Sequence, residues 1–266
     1  MATVAGRQNR VGRDELFFLI SAIIMTIILV GGFSLQLAAG RSSFGSPVPV
    51  HIHAVIFFGW TMLYLAQNVL VDRGHHQIHR TLGWLAVIFI PAMLVMGVFV
   101  TVVKVREGQT PFFFQPLYFL IMNPLSVLFF AGLATAAIVK RRQTQWHRRL
   151  MFCAMTILLG PGFGRLLPMP LLIPYAGTAV FAAFMLFPIA GIIRDARLNG
   201  RVHPAWWWGI GALLVMQALI SVIAVSRPGL AFYTMVTADA PGSLIDPLAF
   251  PPFSGSAAPP PPITQR

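Results

Sequence analysis

Residues 73–84 read RGHHQIHRTLGW, a basic and histidine-rich connector between two long apolar runs, at about 53–71 and 81–103. A helix of roughly 20 apolar residues is long enough to cross the ~30 Å hydrocarbon core of a bilayer. Further runs of this kind lie at 16–39, 116–139, 150–173, 175–193 and 205–225. The sequence therefore predicts an all-α integral membrane bundle of about seven transmembrane helices.

The overall composition supports a membrane protein. Hydrophobic residues make up 57% of the 266, charged residues only 10%, and the mean hydropathy is +0.76, unlike a soluble domain. The net charge of +12 lies in short connectors between apolar runs. That distribution indicates attraction to anionic lipid headgroups and argues against nucleic acid as a partner.

The positive charges also predict an orientation. Connectors on the same side as the N-terminus carry thirteen of the 19 Lys and Arg residues, and the other side carries six. The positive-inside rule therefore predicts a bacterial inner-membrane protein with its N-terminus in the cytoplasm and its C-terminus outside. We expect a cytoplasmic segment at 1–15, a seven-helix transmembrane domain at 16–226 whose first helix is an uncleaved signal anchor, and a Pro-rich disordered extracytoplasmic tail at 227–266.

The fifth apolar run is the least regular of the seven. GPGFGR at 160–165 interrupts it, and Pro168, Pro170 and Pro174 follow. One interpretation is an ordinary helix ended by proline, with Arg165 reaching the outer interface. The other is a broken helix that lines a cavity, with Arg165 facing an anion or a lipid headgroup.

Three histidines stand where apolar runs begin on the predicted cytoplasmic side: His79, His147 and His203. The frame Gln, large apolar residue, His, Arg, any residue, Leu occurs at both 77–82 and 145–150. The three helices enter the membrane in the same direction, so the imidazoles lie at one depth. Neighbouring imidazoles could bind a divalent metal (zinc, iron or copper), or two could ligate haem b. We expect at least His79 and His147 to share a pocket.

Charged residues extend this predicted site. Arg80 and Arg148 each follow a histidine directly, and with the helix N-termini they predict an electropositive rim suited to a propionate, phosphate or carboxylate. Asp195, one of only seven acidic residues, is expected near these cations, where it could orient a histidine or act as a base. The alternative is that the His-Arg pairs only hydrogen-bond headgroups at the membrane surface.

The polar residues inside the apolar runs are few. No Asp, Glu or Lys falls in the middle of a run, which removes the usual carriers of a proton or ion relay. The amides Gln67, Asn68, Asn123 and Gln217 remain, and we expect them to bridge helices.

Short motifs in residues 50–215 carry a family resemblance: HAVIFFGW at 53–60, HRTLG at 79–83, HRRLM at 147–151 and DARLNGRVHP at 195–204. With them the chain resembles a widespread group of bacterial multi-pass membrane proteins of unknown function, so the resemblance implies a location but no chemistry. The architecture is also loosely similar to cytochromes of the b561 type, which hold haem between paired histidines on facing helices.

Three functions remain open at this point. The first is a haem- or metal-binding redox protein, with His79 and His147 as ligands and His203 as ligand or alternate. The second is a zinc-dependent hydrolase of lipid amides or esters that adds Asp195. Its layout is similar to that of the progestin and adiponectin receptor-like hydrolases, although their paired His-x-x-x-His is absent from the last run. The third is a non-catalytic transporter or accessory subunit, acting with a membrane partner or as a homo-oligomer.

Overall fold

The computed structural model describes residues 2–42 and 44–252, with side chains from Asp14 onward. Regular structure in these ranges is entirely helical, which confirms the predicted all-α fold. The α-helices are α1 (Ala2–Ala38), α2 (Val48–Asp72), α3 (His76–Gly83), α4 (Ala86–Arg106), α5 (Pro116–Val139), α6 (Thr144–Ile157), α7 (Gly160–Leu166), α8 (Ala176–Asn199), α9 (Pro204–Ile223) and α10 (Arg227–Thr237). Short 3₁₀ helices occupy Met169–Leu172 and Pro241–Leu244.

Six helices of the described chain are each long and apolar enough to cross a membrane: α1 from Asp14, α2, α4, α5, α8 and α9. These six agree with six of the seven predicted runs. The first predicted span packs into the core of the bundle. Its buried residues recur at helical spacing: Phe18, Ala22, Met25 and Leu29.

The remaining run, at 150–173, is divided between α6 and α7. Leu158 and Leu159 join the two helices through tight i to i−3 hydrogen bonds to Met155 and Thr156. Pro161 lies in the first turn of α7. Main-chain N–H groups in that turn have no partner within the helix, so the N–H that proline lacks is not needed there. The glycine and proline residues therefore interrupt the helix and restart it, instead of ending it.

Helix α7 packs along α1, and α6 reaches α1 through individual side chains. At one end the Arg148 guanidinium pairs with Asp14, and at the other the Gln36 amide donates to the Arg165 carbonyl at 3.2 Å. The Arg165 guanidinium lies 3.7 Å from the centre of the Phe33 ring. Helix α7 thus packs closely on the second half of α1, and Arg165 packs on an aromatic ring of that helix.

Helix α6 lies at the centre of the bundle. Residues 152–159 are all buried, and the helix packs against α5, α8 and α9. Water does not reach the side chains on the buried part of such a helix. A charged side chain there requires a partner from a neighbouring helix, because burying an unpaired charge is costly. Arg149, near the start of α6 and only 2% exposed, is the clearest case.

The C-terminal segment is folded as far as residue 252. Tyr233 of α10 is buried with Val105, Leu117 and Leu120 of α4 and α5, and the Leu117 main-chain N–H donates to the Pro247 carbonyl at 3.0 Å. Residues 227–252 therefore belong to the folded domain, which corrects the prediction of a disordered tail from residue 227. The rest of that predicted tail, at 253–266, lies outside the described residues.

Candidate functional site

The structure brings two of the predicted histidines together. His79 lies in α3, after the turn at Gly74, whose φ of +74° reverses the chain at the end of α2. His147 lies in the first turn of α6, ahead of the apolar stretch that begins at Leu150. Their ring centres are 6.3 Å apart and their planes meet at 83°. The repeated sequence frame thus places one imidazole from each connector in a shared pocket.

His147 is fixed by a main-chain contact. Its Nδ1 lies 2.9 Å from the carbonyl oxygen of Ala137, a fully buried residue near the end of α5. A carbonyl can only accept a hydrogen bond, so Nδ1 carries the proton and donates it. In the neutral ring, Nε2 then carries the lone pair and is available as an acceptor or a metal ligand.

The pocket also holds buried polar atoms that make no hydrogen bond. Nδ1 of His79 is one of them, and both polar atoms of the Gln67 side chain, on α2, are others. The Gln67 main chain lies close to the His79 ring. Most buried polar side-chain atoms in proteins have a partner, so three unpartnered atoms around one imidazole are unusual. These atoms are donors and acceptors that a ligand could meet.

Burial sets the protonation state of this pair. It lowers the pKa of both His79 and His147, because desolvation penalises the charged imidazolium. The neighbouring groups His147, His76 and Arg80 also lower the pKa of His79, and His147 has the largest effect of the three. Both rings are therefore held neutral near pH 7, the form in which histidine ligates metals.

The third predicted histidine is elsewhere. His203 caps the N-terminus of α9, where its Nδ1 accepts a hydrogen bond from the Ala205 N–H at 3.1 Å, and its ring packs edge-on against Trp146 at 5.5 Å. Among the described residues, no three His, Cys, Asp or Glu side chains are arranged to hold a metal ion. The predicted three-histidine site is therefore not formed, because a common depth in the membrane does not ensure proximity.

Asp195 has cationic partners, as expected, but it does not act on a histidine ring. Its two oxygens accept hydrogen bonds from Arg149 at 2.9 and 2.8 Å, and Oδ2 also accepts one from the Trp206 indole at 2.9 Å. The main-chain N–H of His203 makes a longer contact at 3.4 Å. These contacts tie α6, α8 and α9 together and leave the carboxylate engaged in structure.

The two predicted arginines are also directed away from the histidine pair. Arg80 is exposed, since adjacent residues of a helix point to different sides and His79 takes the inward one. Arg148 pairs with Asp14 of α1, and Asp14 is shared with Arg194 of α8 at 2.6 Å. The predicted electropositive rim is thus largely an ion-pair cluster that holds the helix ends together.

Gln67 is the residue that sequence reasoning treated as structural and the structure places in the pocket. Asn68 and Asn123 donate to carbonyls four residues earlier on their own helices, at 2.8 and 3.1 Å. Gln217 donates to the Tyr118 hydroxyl at 3.4 Å and so joins α9 to α5. Of the four amides, Gln67 alone has neither polar atom paired within the described chain. The position of Gln67 shortly before the connector at 73–84 was the sequence feature that could have indicated its place in the site.

Comparisons of the chain with protein-family models, with curated proteins and with solved structures found no match.

Proposed function

We propose that this integral membrane protein binds a transition-metal ion between His79 and His147. The membrane class rests on its six long apolar helices. The metal-binding role rests on the pair of half-buried neutral imidazoles, one from each of two repeated connectors, with ring centres 6.3 Å apart.

The observation that carries the proposal is how His147 is held. Metal-ligating histidines usually donate their other ring N–H to a carbonyl or carboxylate, which fixes the tautomer and aims the lone pair. His147 has this arrangement through the Ala137 carbonyl, and the neighbouring His79 has a buried Nδ1 with no partner. Two available nitrogen atoms in one pocket suit zinc, copper or iron, all of which bind imidazole.

A small ion fits these donors better than haem b does. The buried unpartnered nitrogen of His79 is Nδ1, which is bonded to the ring carbon that carries Cβ. A flat porphyrin approaching that nitrogen would meet the side-chain stem and the main chain of α3. A redox role for the protein then requires that the bound ion be copper or iron instead of zinc.

The competing functions have less support in the contacts. A zinc hydrolase needs a base near the ion, and the carboxylate of Asp195 is already bonded to Arg149 and Trp206. The described contacts contain nothing that favours a transporter or an accessory subunit. The charge asymmetry of the connectors supports a site on the cytoplasmic side of a bacterial inner membrane, beside anionic headgroups.

The test is metal analysis and an absorption spectrum of the full-length protein purified in detergent. We expect about one zinc, copper or iron ion per chain and no Soret band, with the metal lost in His79→Ala and in His147→Ala. The matched controls are His75→Ala, an exposed histidine of the same connector, and His203→Ala, the helix cap; both should keep the metal. Metal-free wild-type protein from metal-replete cells would contradict the proposal. A Soret band would show that the protein binds haem in place of the ion.

A further inference from the structure

The Gln67 amide lies against the helix face that carries His79. His79 and Gly83 are four residues apart in α3 and so share a face of that helix. A Cβ placed on Gly83 would be 3.5 Å from Nε2 of Gln67, so the amide rests on α3 one turn beyond the histidine. The main chain of Gln67 lies close to the His79 ring itself. The amide and the imidazole therefore lie on the same face of α3.

The unpaired state of this amide has an energetic cost. A buried polar group without a hydrogen bond destabilises the fold, because it loses its bonds to water and gains none in return. Both polar atoms of Gln67 are in that state, whereas the amide nitrogen of the adjacent Asn68 donates to the Tyr64 carbonyl at 2.8 Å. An amide that only joined helices would have a partner on α3 or α6. The cost of burying the Gln67 amide is offset if its side-chain oxygen binds a ligand.

We propose that Gln67 is the third ligand of the metal site, binding the ion through its Oε1. This inference rests on the proposed function and specifies the donor set as two imidazole nitrogens and one amide oxygen. All three donors are neutral, so the ion keeps its full charge. The amide Nε2 is then free to donate a hydrogen bond to a water or an anion on the same ion.

The ligand role and a structural role predict opposite stability effects. Gln67→Leu removes the two unpaired atoms and keeps an apolar stem, so the metal-free variant should unfold at the same temperature as wild type or a higher one. If the amide held helices together, the same change would lower the unfolding temperature. Gln67→Glu keeps an oxygen donor and adds a negative charge beside the cation.

The experiment titrates Co²⁺ alone into metal-free full-length protein in detergent and follows the visible d–d bands. We expect Gln67→Leu to bind Co²⁺ at least roughly tenfold more weakly, with altered bands, and Gln67→Glu to bind as tightly as wild type or more tightly. Asn68→Leu, the neighbouring amide, should bind as wild type does. Unchanged affinity in Gln67→Leu rejects this inference and leaves the histidine site standing. Failure of the wild type itself to bind Co²⁺ rejects both.

Discussion

The guanidinium of Arg149 and the carboxylate of Asp195 form two parallel hydrogen bonds, at 2.9 and 2.8 Å, in the buried interface between α6 and α8. Arg149 is 2% exposed and Asp195 is 1% exposed. Arg149 follows His147 by two residues, so the pair holds the first turn of α6 in place beside the histidine pocket. It is a structural support for the site and not a part of its chemistry.

Asp195→Asn should destabilise the protein strongly. The change leaves Arg149 as an uncompensated buried charge, and breaking a buried pair in this way costs about 3–5 kcal/mol. Denaturant or thermal unfolding in detergent measures the loss. The double variant Arg149→Met, Asp195→Leu removes both charges and should recover most of the stability. A double variant as unstable as Asp195→Asn would contradict the view that the unpaired charge causes the loss.

The contact between α1 and α7 depends on a missing side chain. A Cβ on Gly32 would lie 2.9 Å from the Gly162 carbonyl oxygen, a main-chain atom that cannot move alone. Gly32→Ala should therefore separate the helices and destabilise the protein by about 1–3 kcal/mol. Gly31→Ala is the matched control, because its Cβ would meet nothing within 4 Å, and its unfolding temperature should stay the same or rise. Equal effects from the two changes would contradict the close packing of α1 on α7.

Acid should destabilise the metal-free protein. Burial lowers the pKa of His79, His147 and His203 in the folded state, so the unfolded chain binds more protons below about pH 6.5, the usual value for histidine. The stabilising contribution of the neutral rings is complete above that pH and is lost as the pH falls below it. Unfolding temperatures measured between pH 8 and pH 5.5, within roughly the range where histidine titrates, check this.

The pH dependence should depend on which histidine is changed. Replacement of His147 by Gln should flatten the curve, because it removes one of the rings whose pKa burial lowers. A metal-free protein that becomes more stable on acidification would show that these rings are stabilised in their charged form.

Much of the fold was predictable because hydrophobic length is a strong signal. A membrane-spanning helix must satisfy its own backbone and present apolar side chains over its whole length, and six runs meet that requirement. The sequence GPGFGR at 160–165 indicated the break in the fifth run, but it left open whether the helix ended there or restarted as α7. The order of 227–252 was missed because that segment is stabilised by packing on α4 and α5, which local composition does not reveal.

The site was predictable only in part. The repeated frame identified His79 and His147 because each stands at the same point of its connector. The sequence could not show that His203 turns toward Trp146, nor that Asp195 pairs with Arg149, because both depend on the rotation of neighbouring helices about their axes. Helix rotation is decided by side-chain packing between elements, a long-range property that the hydropathy pattern leaves open.

The central claim is that His79 and His147 together bind one metal ion. Electron paramagnetic resonance of the full-length protein loaded with one equivalent of Cu²⁺, with pulsed detection of remote imidazole nitrogens, counts the coordinated rings directly. The account predicts two coupled imidazoles in the wild type and no spectrum with two coupled imidazoles in either His79→Ala or His147→Ala. A wild-type spectrum without coupled imidazole, or one that neither substitution changes, would contradict it.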